Sequence, residues 1–151
     1  MPRPERGFLS ARIGRQRLST DYRKVNKSIP QLKKIAERHF NKFIRLRDQW
    51  KPCISCGNYR ELQAGHFYSA GNYSALKFNE DNVHGQCKQC NYFLSGNLTE
   101  YEKSLRLRIG NERVDKLHIL AGAYKRTGYK WDRIFLNDVI NTYKAKWKEV
   151  M

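Results

Sequence analysis

The sequence predicts an α+β fold: a small β-β-α knuckle, clamped by four cysteines, set between N-terminal and C-terminal α-helices. Two observations carry this. All four cysteines fall in Cys-x-x-Cys pairs, Cys53/Cys56 and Cys87/Cys90, and the stretch they bracket holds "ELQAGHF" and "NVHGQC", runs with the length and flanking turn residues of short strands. On either side, apolar residues recur at three- and four-residue steps, the period of helices buried along one face. A length of 151 residues with 40% hydrophobic content suits one modest core, here assigned to residues 29–151.

Residues 1–28 precede that core. They carry Arg3, Arg6, Arg12, Arg15, Arg17, Arg23, Lys24 and Lys27 against Glu5 and Asp21, with few apolar residues. Such a segment buries too little to fix itself and reads as a flexible basic arm, either engaged with a polyanion or merely solvated. A helix is expected over 29–51, with Pro30 in its first turn and Leu32, Ile35, Ala36, Phe40, Phe43, Leu46 and Trp50 as its stripe. Pro52 ends it and leads into Cys53. Residues 52–97 hold the cysteines and both strands, joined by the loop "YSAGNYSALKFNED".

The remainder, 98–151, reads as helical. Thr99 with Glu102 forms a T-x-x-E capping box, Tyr101, Leu105 and Ile109 follow as a stripe, and Gly110 closes the turn. The next helix, after Asn111, turns Val114, Leu117, Ala121 and Tyr124 inward and breaks at Gly128. A last helix from about Asp132 aligns Phe135, Val139, Tyr143 and Trp147.

No run approaches the ~20 apolar residues of a spanning helix, and the first residues lack the apolar centre of a secretory signal. A reducing cytosol is the expected compartment. There, paired Cys-x-x-Cys thiolates are metal ligands rather than disulfides. Two pairs complete the tetrahedral shell of Zn²⁺, and a zinc with every position filled by protein is structural.

Lys and Arg number 30 against 14 acids, a formal charge of +16. A polyanion is the natural partner, and nucleic acid fits better than a membrane surface. Candidate phosphate contacts are Arg15, Arg17, Arg23 and Lys24 in the arm, with Lys125, Arg126, Lys130, Arg133, Lys144 and Lys146 toward the C-terminus. There "YKRTGYKWDR" and "YKAKWK" interleave cations with aromatics, as contacts to distorted or single-stranded DNA do. Tyr143 and Trp147, four apart on a helix, read first as core. His39 and His118 read as structural or surface residues.

His66, midway between the cysteine pairs, is placed to take a proton from water near pH 7; the alternative is a half-buried structural histidine. Asn82 and His84 are two apart on the returning strand, hence on one face. Asn91 directly follows the last cysteine. A histidine, an asparagine and an oxygen ligand around one clamp suit metal-assisted hydrolysis.

The pattern C-x2-C, AGHF, N-x-H-x-Q-C-x2-C-N resembles the HNH, or ββα-metal, nuclease signature. Over residues 28–125 the longer run "KPCISCG … LQAGHF … NVHGQCKQCNYFLSGN … Y" is similar to the phage NinG/Rap recombination endonucleases, and also to the junction-resolving endonuclease of T-even phages. The resemblance implies a ββα-metal core with His66 as general base. It makes Asn82 the asparagine that holds the base-bearing loop, and Asn91 a ligand to a catalytic Mg²⁺ or Mn²⁺. Many HNH enzymes carry an acidic ligand just before the histidine, where Gly65 stands here; His84 is the candidate replacement.

The resemblance further implies an endonuclease on branched DNA (Holliday junctions, D-loops) in a host bacterial cytoplasm. It also suggests a homodimer, with the stripe around Val139, Tyr143 and Trp147 as the candidate face. The alternatives are a zinc-stabilised DNA-binding protein without catalysis and a sequence-specific HNH endonuclease, for which no base-reading element stands out.

Overall fold

The computed structural model describes residues 27–125 and 129–151. Helix α1, Ile29–Arg47, begins at a capping box: Gln31 N–H donates to Ser28 Oγ at 3.3 Å, and Ser28 N–H donates to Gln31 Oε1 at 2.9 Å. These bonds satisfy amides that have no partner inside the helix. Its buried face is Leu32, Ala36, Phe40, Phe43 and Ile44.

The helix ends earlier than its periodicity suggests, and Trp50, expected on the stripe, is 84% exposed. The cause lies 37 residues away. Asp48 turns inward, fully buried, and its carboxylate accepts from Gly85 N–H at 2.8 Å. Arg47 grips both oxygens at 2.9 and 2.8 Å, and also donates to Val83 O at 2.8 Å. The chain thus abandons the helix to bind the hairpin.

Burial alone would raise the Asp48 carboxyl, but Arg47 and the Gly85 amide outweigh it and hold the group well below the usual carboxylate range. With the folded pKa depressed, the stabilisation is complete above the unfolded value of about 4 and is lost as pH falls below it. Asp48→Ala should cost about 3–5 kcal/mol, because Arg47 and the Gly85 amide lose a buried partner. In urea titrations from pH 7 to 3, Asp48→Asn should lose less stability than wild type; parallel losses would place the acid sensitivity elsewhere.

Strands β1, Leu62–His66, and β2, Val83–Cys87, pair antiparallel from Leu62↔Cys87 to His66↔Val83. Facing pairs share a side of the sheet and side chains alternate, so His66 and Val83 project to one side and Gly65 and His84 to the other. After Cys87 come a π-helical turn, Gln89–Phe93, and helix α2, Leu98–Ile109. Between them Ser95, Gly96 and Asn97 all have positive φ, at 49°, 94° and 42°. Asn97, not Thr99, precedes the helix, and no side chain caps it. Thr99 lies within the first turn, so the capping box suggested by T-x-x-E does not form.

Helix α3, Asn111–Lys125, buries Val114, Leu117 and Ala121, while Tyr124 is turned outward rather than inward. Helix α4, Arg133–Glu149, starts where Phe135 N–H donates to Asp132 Oδ1 at 2.7 Å. It packs on α1 in a core with Phe78 and Val83, where the Phe40 and Tyr143 rings meet edge to face at 4.7 Å. A second core gathers Ile54, Phe67 and Leu76 against α2 and α3. The hairpin lies between the two.

The stripe offered as a dimer face is therefore spent inside the chain: Val139 and Tyr143 are buried against α1, and Trp147 donates its Nε1–H to His39 Nδ1 at 3.0 Å. No helix among the described residues is long and apolar enough to cross a membrane.

Candidate functional site

Two tight turns bring the cysteines together. Gly57 N–H donates to Cys53 O at 2.9 Å, with Gly57 at φ 73°, where a side chain would be strained. Cys87 N–H donates to Cys53 Sγ at 3.3 Å. All four sulfurs lie within 4.8 Å of one another, and those of Cys56 and Cys87 are 3.8 Å apart. Zn–S bonds of about 2.3 Å place tetrahedral sulfurs roughly 3.8 Å apart, so the cluster has the dimensions of such a shell.

Burial pushes the Cys87 thiol up, and that of Cys90 to about 12. Burial opposes the shift at Cys53, yet amide hydrogen bonds bring it down to about 7. A bound cation would hold all four as thiolates. The donor set fits a metal ion such as zinc.

His66 ends β1 and opens into a cavity of about 370 Å³ lined also by Tyr68, Ser69, Tyr73, Ser95 and Leu98. Its Nε2 lies 3.0 Å from Lys77 O. A carbonyl only accepts, so Nε2 carries the proton and Nδ1 keeps the lone pair. Burial lowers the His66 pKa, with the Lys77 carbonyl opposing, which leaves the ring neutral at pH 7.

The loop beyond His66 is tied by Asn82, which is fully buried. Asn82 Oδ1 accepts from Tyr68 N–H at 2.8 Å; its Nδ2 donates to Tyr68 O at 3.0 Å and Leu76 O at 3.1 Å. Phe67 N–H adds a bond to Asn82 O at 2.9 Å.

Asn91 is not brought to that cavity wall. Its Nδ2 donates to Gln63 Oε1 at 2.9 Å, at the cysteine end of β1 and about 10 Å along the strand from His66. This bond uses the amide donor, and Oδ1 makes none of the hydrogen bonds found among the described residues.

His84, the candidate replacement ligand, is on the wrong face. It is buried opposite Gly65, with Nδ1 3.4 Å from Tyr101 Oη, and burial with Arg47 beside it drives its pKa to about 3. Alternation from Asn82 misleads because Asn82 ends a 3₁₀ turn, Glu80–Asn82, rather than belonging to the strand. Nor could Gly65 carry an acid: a Cβ there would meet Gln86 Oε1 at 2.2 Å and Gln86 Cβ at 2.6 Å.

A family model of the bacteriophage lambda NinG protein matches residues 10–151. The chain belongs to the NinG family. It is 46% identical to protein NinG of Escherichia phage lambda over 86 residues, 56% of this chain and 42% of that protein. With protein NinG of Salmonella phage P22 it shares 37% identity over 119 residues, 78% of this chain and 56% of that one. The matched stretch thus spans about half the length of these curated relatives. No solved structure matches.

The candidate DNA contacts of this NinG chain fare unevenly. Arg15, Arg17, Arg23, Lys24 and Arg126 lie outside the described residues. Lys125 is exposed, its Nζ 5.5 Å from the ring of Tyr73 at the His66 cavity. Lys130 and Lys144 are exposed and Arg133 half-buried. Lys146 is paired with Glu80, whose carboxylate competes with a phosphate for it. Of the interleaved aromatics, Tyr143 is buried, Trp131 and Trp147 are half-buried against the same core, with Trp131 packed on Phe78 at 5.0 Å, and Tyr124 is exposed.

His118, which reads from sequence as a structural or surface residue, is structural. It joins two elements, with Tyr68 Oη on its Nδ1 and Glu102 Oε1 3.0 Å from Nε2.

Proposed function

We propose that this NinG chain is a metal-dependent endonuclease that hydrolyses phosphodiesters in branched DNA. The observation that supports it most is His66: a neutral imidazole lining a cavity, whose Nδ1 makes no hydrogen bond among the described residues, on a strand whose following loop is fastened by Asn82. Nδ1 is the atom that takes the proton from an attacking water. Asn82 keeps the loop, and with it the ring, from drifting. The resemblance makes Asn91 a side-chain ligand for Mg²⁺ or Mn²⁺, a role that requires its bond to Gln63 to open and the side chain to move toward His66; the cation would supply neutralisation of the phosphate and the leaving oxygen. Zinc at Cys53, Cys56, Cys87 and Cys90 holds the frame. The preference for branches, and action as a homodimer, rest on the resemblance to recombination endonucleases.

One observation favours a second reading, a zinc-stabilised DNA-binding protein without catalysis: Gln86 fills the space where an acidic ligand would stand. Incubation with a four-way junction and a matched linear duplex, with and without Mg²⁺, separates the two. Mg²⁺-dependent junction products are expected. Binding without products under either condition would support the binder, and equal cutting of the duplex would remove the branch preference.

A further inference from the structure

We infer that Tyr92 and Phe93, backed by Leu94 and Leu98, form a wedge that stacks on unpaired bases at a DNA branch point; this rests on the proposed action on branched DNA. These residues are 71%, 62%, 50% and 46% exposed within one short segment. The two aromatic rings stand edge to face at 5.1 Å. None of these side chains belongs to an apolar cluster found among the described residues.

The segment is rigidly fastened. Leu94 N–H donates to Gln89 O at 2.9 Å and Gly96 N–H to Cys90 O at 2.8 Å, tying the turn to the cysteine cluster. Gly96 O accepts from Gln86 Nε2 at 2.6 Å and from Ser55 Oγ at 3.4 Å, both buried. Ser95 and Asn97 hold positive φ beside Gly96, a conformation that costs free energy and persists only where the surroundings impose it. An apolar knob held this way is preorganised to enter something.

Its location and charge say what. Ser95 and Leu98 line the His66 cavity, so a phosphodiester seated there brings its own bases to the knob. Lys88 Nζ lies 6.0 Å from the Phe93 ring, and the whole chain carries +16. On DNA the broad apolar surfaces are the base faces. Duplex stacking hides them and a branch point exposes them.

The test is anisotropy titration of a labelled four-way junction and a matched duplex, without added divalent cation, for wild type, Tyr92→Ala/Phe93→Ala and Tyr92→Trp/Phe93→Trp. The alanine pair should lose about tenfold or more in junction affinity with duplex affinity unchanged, and the tryptophan pair should retain both. Equal loss on both DNAs, or loss on neither, overturns the wedge. So does a change from dimer to monomer in sedimentation without a junction-specific loss, which would give the surface to a second copy. Cleavage by wild type is scored separately. A wild type that never cuts sinks the nuclease reading and leaves the binding result standing; a cutting wild type whose alanine pair binds the junction unchanged sinks only the wedge.

Discussion

Removing the metal from the four-cysteine cluster, or replacing Cys87 with serine, is expected to unfold the hairpin and the segments it joins. The apolar cluster at this end of the hairpin consists of Cys53, Cys87, Cys90 and a single other residue, Leu62. Without a cation, close-set sulfurs and one leucine must hold the ends of a long excursion together. Binding of a structural zinc supplies on the order of 10–16 kcal/mol to folding, comparable with the entire stability of about 5–15 kcal/mol typical of a domain. Elemental analysis should find one zinc per chain, and a chelator should abolish the cooperative thermal transition seen by circular dichroism. A metal-free protein with an unchanged melt would remove the zinc assignment.

Loss of the His66 imidazole should slow cleavage roughly 10²–10⁴-fold, the usual value of a positioned base. His66→Ala should keep its zinc and its DNA affinity, since the ring's hydrogen bond is to one carbonyl, Lys77 O. Asn91→Ala should also slow cleavage, and raised Mg²⁺ or Mn²⁺ should recover part of that loss. No cation concentration should restore His66→Ala. The pH profile carries an independent signature. A base must be unprotonated, and burial lowers the His66 pKa, so wild-type rate should hold below pH 6.5 before falling with further acid. Cutting by His66→Ala at the wild-type rate would end the nuclease reading at its centre. If that variant unfolds, His66→Gln, which keeps a donor for Lys77 O, answers the same question.

The strands and helices were legible because their signals are local. Paired cysteines and turn residues bracket β1 and β2, and apolar periodicity marks α1 to α4. What escaped was decided at long range. Asp48 leaves α1 for Gly85, and no helical period encodes that. T-x-x-E is a local cap signal, overruled because the turn leaving the cysteine cluster sets the start of α2 at Asn97. Around the candidate site, Asn82 stood out by position, and its amide does bind the loop. His84 was misplaced because the alternating period was run back through a 3₁₀ turn. Tyr92 and Phe93 passed unnoticed since adjacent aromatics on a knuckle have no period to read, while the periodic Tyr143 and Trp147 went to the core.

The bonds from Asn82 to Phe67, Tyr68 and Leu76 also divide labour along the chain. They close the loop at its base, so the position of His66 is fixed there and by Lys77 O rather than at the tip. At Gly71 an added Cβ would meet nothing within 4 Å. Lengthening a closed loop is inexpensive, about 0.6 kcal/mol per doubling. The tip around Gly71 can thus change while the mount beneath it stays fixed, and since Ser69 and Tyr73 line the His66 cavity, such changes alter what the cavity admits rather than how the imidazole is held.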